Sequence, residues 1–393
     1  MGTASRNGGD GVREVYLDYN ASAPLDPRVF EAMAPVLSGE IGNASSVHRF
    51  GRRQAAAVDE AREHVAALVG GRPGGVVFTA GATEANNLAL RGAVEAAPEG
   101  RQRMLVSAVE HASVGRTAQW LADGGLVKLD VIGVTAGGFV EPDTVEQLLG
   151  PDVVLVSVMA ANSETGVLNP VGEIAARARS AGALFHCDAT QMAGRLPFDM
   201  DALGADLVSM SGHKICGPGG VGALVATRRA LGCLSPLILG GGHERGLRSG
   251  SLNVAGIVGL GAAARIAADE RDSESARVGV LRDHLATELT AGLPGVSQNG
   301  DISRRLPNTA SVHFEGADAE AVMSNMDPVA VSTGSACSAG SIEPSEVLTA
   351  MGLSHEAAFE SVRFSLGRFT TEADTNTAIQ ATIAAVNRVR ALT

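Results

Sequence analysis

The sequence predicts an α/β protein: a large unit built on a mainly parallel sheet, then a smaller α+β unit. Three observations predict it. Between residues 75 and 230, short β-rich runs alternate with Ala-rich helical segments. Those runs are apolar throughout, as strands covered on both faces are. Around Asp301 the pattern changes to strands separated by shorter helical runs. A chain of 393 residues also suits two domains better than one. The expected boundaries are a disordered lead-in over 1–14, a large domain over 15–260 and a small domain over 261–393. The segment 15–50 is expected to contribute to the small domain.

The elements follow in order. Val76-Val-Phe-Thr79 reads as a strand, and Glu84-Ala-Asn-Asn-Leu-Ala-Leu-Arg91 as the helix after it. Met104-Leu-Val-Ser107 precedes a helical segment through Thr117-Ala-Gln-Trp-Leu121, and Val153 to Met159 precedes Val171-Gly-Glu-Ile-Ala-Ala-Arg-Ala178. Leu184-Phe-His-Cys-Asp188, Leu207-Val-Ser-Met-Ser211 and Val221-Gly-Ala-Leu-Val-Ala226 complete the large sheet. Residues 254–292 read as one long amphipathic connector with a break. Thr309-Ala-Ser-Val-His-Phe314, Val329-Ala-Val-Ser332 and Ser361-Val-Arg-Phe-Ser365 are the strands of the small unit.

Composition excludes several classes. The net charge is −12 and no basic run stands out, which argues against direct binding of nucleic acid or anionic lipid. The longest apolar runs are strand-sized, far short of a membrane span. The N-terminal residues lack an apolar core segment, so no signal peptide is expected and the protein reads as cytoplasmic. Four cysteines, Cys187, Cys216, Cys233 and Cys337, show no zinc spacing, so no metal is expected.

Lys214 is one of only two lysines, with Lys128, among 31 basic residues. Arginine supplies charge everywhere else, yet it cannot become a neutral amine nucleophile, whereas lysine can. An Arg-preferring genome explains the scarcity equally well for Lys214 alone. Phe78-Thr-Ala-Gly-Ala-Thr-Glu84 is a strand, a small-residue turn and a helix start, a pattern suited to phosphate but by itself better read as an ordinary βα turn. Asp188 closes a strand with Gln191 three residues on; it can pair with a cation or cap a helix. Arg363 lies inside an apolar strand and needs an anionic partner, either a ligand or a structural carboxylate. Cys337 sits in Ser332-Thr-Gly-Ser-Ala-Cys-Ser-Ala-Gly-Ser341, a small polar setting that suits an exposed thiolate. Cys187 and Cys233 have apolar settings and read as packing residues, while Cys216 is open to either reading.

Asp18-Tyr-Asn-Ala-Ser-Ala-Pro24, the Gly-Ala-Thr-Glu turn, Val109-Glu-His111, Asn162-Ser-Glu-Thr-Gly166, Asp188-Ala-Thr-Gln191, Ser-Gly-His-Lys214, the run Gly240 to Ser251, Gly334-Ser-Ala-Cys337 and Arg363-Phe-Ser-Leu-Gly-Arg-Phe-Thr370 occur in this order. As an ordered set they resemble the pyridoxal-phosphate cysteine desulfurases of the NifS/IscS type, over residues 15–370. The resemblance implies a fold-type-I, aminotransferase-like homodimer that binds pyridoxal 5′-phosphate. Its large domain holds the cofactor and its small domain carries the catalytic cysteine.

The resemblance also implies roles. Lys214 would hold the cofactor covalently and move protons. Asp188 would keep the pyridine nitrogen protonated, Gln191 would bond the ring hydroxyl, and His111 would stack on the ring and serve acid–base steps. Ala82, Thr83, Ser211 and His213 would hold the phosphate, with Ser251 reaching in from the partner subunit, and Gly212 would also contact the cofactor. Arg363 would clamp the substrate carboxylate. Cys337 would take the sulfur of L-cysteine as a persulfide, leaving alanine, and pass it to an acceptor protein. That acceptor could serve iron–sulfur assembly, tRNA thiolation or DNA phosphorothioation. Family members commonly carry asparagine where this chain has Ser163, so that contact is lost, bridged by water or taken over by Asn162. Selenocysteine or cysteine-sulfinate lysis, which need not depend on Cys337, is the alternative chemistry. A catalytically dead scaffold is disfavoured by Lys214, Asp188, His111, Cys337 and Arg363 occurring together.

Overall fold

The computed structural model describes residues 14–39, 42–334 and 343–392. Nearly all of the expected lead-in, and the segment that contains Cys337, lie outside the described residues. The strands, in chain order, are β1 (Val15–Tyr16), β2 (Val76–Thr79), β3 (Arg103–Ser107), β4 (Lys128–Ile132), β5 (Val153–Ser157), β6 (Leu184–Asp188), β7 (Leu207–Ser211), β8 (Gly222–Ala226), β9 (Val296–Gln298), β10 (Thr309–Phe314), β11 (Val329–Ala330) and β12 (Ser361–Ser365).

A seven-stranded sheet runs β2-β8-β7-β6-β5-β3-β4. β8 is antiparallel to both neighbours and every other pair is parallel. The chain is thus an α/β protein with a mixed, mostly parallel sheet. Strands β5, β6, β7 and β8 are buried along their whole length. With helices on both faces they have no solvent side, so their sequences do not alternate. β4 was not expected from the sequence. It is the edge strand, and Lys128 and Val131 face solvent there. Its run Lys-Leu-Asp-Val-Ile therefore carries charges that a central strand would not.

The helix Val254–Gly292 runs unbroken for 39 residues, against the break expected from its sequence. Its glycines serve close packing instead. A Cβ on Gly261 would meet the Cα of Ala61 at 2.5 Å, so the backbone can touch the helix Arg49–Leu68 only without one. No proline interrupts the run. Ile257, Leu260 and Ala264 of its first half pack in the core beneath the large sheet. Val278, Leu285 and Leu289 of its second half pack in another core with β10, β12 and the helix Glu372–Arg390. β12-β10-β9 form a three-stranded antiparallel sheet there. β1 and β11 pair alongside, and they bring Val15 and Leu17 into that second core, whereas Val29 joins the first. Among the described residues no helix is long and apolar enough to cross a membrane.

Candidate active site

The carboxyl ends of β2, β6 and β7 open onto one cavity of about 690 Å³. At one end lies an anion seat. The helix Ala82–Glu95 begins at Gly81 with no side-chain cap, so its first-turn amides point outward with the positive end of the helix dipole. Gly222 starts β8 between Thr79 of β2 and Ser211 of β7, in register with both. A Cβ there would lie 2.5 Å from the Met210 carbonyl and 2.7 Å from Gly81, so glycine lets the two halves of the seat approach. Ala82, Thr83, Ser211 and His213 all line the cavity. Burial, Lys214, Arg195 and His111 together push His213 down to about 4, so it is neutral at pH 7.

Asp188 is 4% exposed at the end of β6. Its Oδ2 accepts from Asn86 Nδ2 at 2.8 Å and its Oδ1 from the Thr190 amide at 3.0 Å. Asn86 also donates to Ser113 Oγ, which lies 2.7 Å from His111 Nδ1. The Ser113 amide donates to that same ring nitrogen at 3.1 Å. Nδ1 therefore acts as acceptor, and the neutral ring carries its proton on Nε2. Next to His111, Glu110 is pushed up to about 8 by burial, despite donors from Ser107 Oγ and the Met159 amide.

Lys214 ends a short 3₁₀ turn, Gly212–Lys214, with Gly212 buried beneath it. Its Nζ donates to the carbonyls of Asn20 at 2.5 Å and Ala21 at 2.8 Å. Gln191 Nε2 donates to the same Asn20 carbonyl at 3.0 Å. The Asn20 side chain donates to Ser163 O and Thr309 Oγ1 and accepts from Asn308. Asn20 thus ties the lysine to the β10 sheet. Asn20 and Asn86 lie within the sequence motifs, and their roles emerge only in the fold. Polar side chains on otherwise apolar or turn segments were the available signal.

Arg363, 3% exposed on β12, reaches the same cavity. Nη2 donates to Asp18 Oδ1 at 2.6 Å and Nη1 to Ser163 O at 3.0 Å. Its Nε has no hydrogen-bond partner among the described residues. Ser163 lines the cavity, whereas Asn162 does not. The Asn162 side chain closes its own turn, accepting from the Glu164 and Thr165 amides and donating to Val109 O. Ser251 is exposed and off the cavity wall. Gly334 lines the cavity where the described chain stops short of Cys337. Cys216 and Cys187 are buried, with Cys216 pushed up to about 11 and Cys187 well above the usual thiol range by burial. Cys233 is half-buried.

The cavity combines a primary amine, a buried carboxylate, an anion seat and a guanidinium. That donor set fits pyridoxal phosphate: the uncapped helix start suits its phosphate, and Asp188 suits a protonated ring nitrogen.

A model of the aminotransferase class-V family matches residues 15–377. A cysteine desulfurase IscS of Anaeromyxobacter dehalogenans (strain 2CP-C) is 46% identical over 367 residues, covering 93% of this chain and 91% of that protein. The solved structure of a NifS-like protein superposes with a TM-score of 0.89 at 32% identity, over 95% of this chain and 100% of that one. A structure of SspA in complex with cysteine superposes with a TM-score of 0.80 at 33% identity, over 91% of this chain and 100% of that one.

Proposed function

The chain belongs to the aminotransferase class-V family and is a cysteine desulfurase, and from that premise we propose how its own residues divide the work. The observation that carries the assignment is the convergence of Lys214, Asp188, His111 and Arg363 on one cavity, with Gly334 on its wall three residues before Cys337. Bound pyridoxal phosphate supplies an electron sink that eases cleavage of the bonds to the cysteine Cα and Cβ.

The first-turn amides of Ala82 and Thr83, with Ser211 and His213, seat the phosphate, and Asp188 pairs with the ring nitrogen. Gln191 donates from Nε2 toward the cofactor's ring oxygen. Lys214, whose Nζ is held by the carbonyls of Asn20 and Ala21, would hold the cofactor and would move protons at Nζ. His111 presents Nε2–H for acid–base work. Arg363 receives the substrate carboxylate through its guanidinium fork.

Cys337 attacks the sulfur of bound L-cysteine. An S–S bond forms as the Cβ–S bond breaks, the bonding pair stays on carbon, and protonation gives L-alanine. The persulfide on Cys337 then passes to an acceptor protein. The enzyme acts as a cytoplasmic homodimer, in which the exposed Ser251 completes the partner's phosphate seat.

The test is direct. Protein purified with pyridoxal phosphate should be yellow and release alanine from cysteine, leaving sulfane sulfur on the enzyme. A yellow protein that forms no alanine would overturn the assignment.

A further inference from the structure

We propose that Arg195 is a positioning residue: it holds the Gln191 amide with nitrogen toward the cavity and ties it to the peptide that carries Lys214. The inference rests on the pyridoxal-phosphate reading above and goes beyond it.

Arg195 follows Gln191 by four residues. Its Nη1 donates to Gln191 Oε1 at 2.8 Å and to Gln191 O at 2.7 Å. Its Nη2 donates to Lys214 O at 3.2 Å. All three acceptors belong to Gln191 or Lys214, so these hydrogen bonds serve the site. The Arg195 carbonyl in turn accepts from Ser275 Oγ of the long helix.

These contacts assign an amide that could otherwise face either way. A guanidinium is a donor only, so the Gln191 atom against Arg195 must be oxygen. A main-chain carbonyl is an acceptor only, so the Gln191 atom against Asn20 O, at 3.0 Å, must be nitrogen. One N–H of Nε2 is used there, and Gln191 lines the cavity, leaving the other N–H for a ligand. Gln191 is thereby set as a donor, and only an acceptor group can sit beside it. The Asn20 carbonyl also receives Lys214 Nζ, so Arg195, Gln191, Asn20 and Lys214 close a ring of hydrogen bonds. Lysine at position 195 could not close it, because a single ammonium lacks the planar fork.

The titratable and charged groups that face this ring are Asp188 from β6, the neutral His111 and His213, Cys216, Glu274 from the long helix, and Arg363 from β12. Burial lowers Arg195 to about 10, so it remains charged through the neutral range.

The test uses the holoprotein and the visible band of bound pyridoxal phosphate. Arg195→Met should move the pH midpoint of that band by about one unit, a tenfold change in the equilibrium. Arg195→Lys should move it less. Gln191→Ala should move it as well, and adding Arg195→Met to Gln191→Ala should shift it no further. Additive shifts, or an unmoved midpoint with only lower thermal stability, would overturn the proposal. If wild-type protein takes up no cofactor, the cofactor reading itself fails. In that case, the two substitutions are compared by thermal unfolding of the same protein. Non-additive losses then uphold the Arg195–Gln191 tie and additive ones refute it.

Discussion

Asp18 and Arg363 lie 345 positions apart in the chain and meet at 2.6 Å, carboxylate oxygen against Nη2. The proposed substrate clamp is thus already paired, with Ser163 O on its other arm. An incoming carboxylate must compete with an anion of this chain. Arg363→Lys should keep the cofactor but raise KM for cysteine, with a loss of about 2–4 kcal/mol in binding. Asp18→Asn keeps an acceptor and removes the competing charge, so KM should fall by roughly two- to tenfold. Steady-state kinetics at saturating cofactor check both. If KM is unchanged in both variants, Arg363 serves only to anchor Asp18.

Lys214→Arg should fold and bind pyridoxal phosphate without a covalent link, because a guanidinium cannot form one. Borohydride reduction and peptide mapping of wild-type protein should label Lys214. Lys128, on the edge strand with its side chain largely in water, is the internal control. A label there would show that the amine has been misassigned.

Cys337→Ser should retain cofactor and cysteine binding yet release no alanine. Mass spectrometry after cysteine treatment should find one added sulfur on the Cys337 peptide. Cys216→Ser should keep most activity, since its thiol is buried and pushed up to about 11, leaving almost no thiolate at neutral pH. An adduct on Cys216 would refute the persulfide route drawn above.

Glu110 supplies a stability prediction. Burial raises its carboxyl from the usual 4.5 to about 8. Between those values the folded protein keeps a proton that the unfolded chain releases. Stability therefore falls as pH rises through that window and levels off above it. Glu110→Gln cannot titrate. The stability of the variant relative to wild type should rise by up to about 1.4 kcal/mol per pH unit between pH 5 and 8. Thermal melts at the two pH values measure it. A constant difference would mean that Glu110 is ionised in the folded protein.

The sequence made the central strands legible because each is an unbroken apolar run, and β4 was not because an edge carries charge. The break expected in the long helix is absent, and its Gly261 serves a close approach to Ala61 that is visible only in three dimensions. At the site, Lys214 stood out by scarcity and Arg363 by its apolar surroundings. Asp18 as the partner of Arg363 could not be read from spacing, because the two are 345 positions apart and only the packed fold brings them together. The same holds for Asn20 and Asn86. Each is an ordinary amide until folding places a carbonyl, a hydroxyl or Asp188 beside it.

The unbroken helix Val254–Gly292 has a mechanical consequence. At 1.5 Å per residue it is a rod about 58 Å long, seated at one end beneath the large sheet and at the other against β10 and the C-terminal helix. Such a rod is a lever. A tilt of about 5° at the first seat sweeps the far tip by about 5 Å. Lys214 stands near the first seat, and Arg363 lies on the sheet packed at the second. The shorter ties through Asn20 and Ser163 O span the same gap between amine and guanidinium, and so brace this lever against tilting.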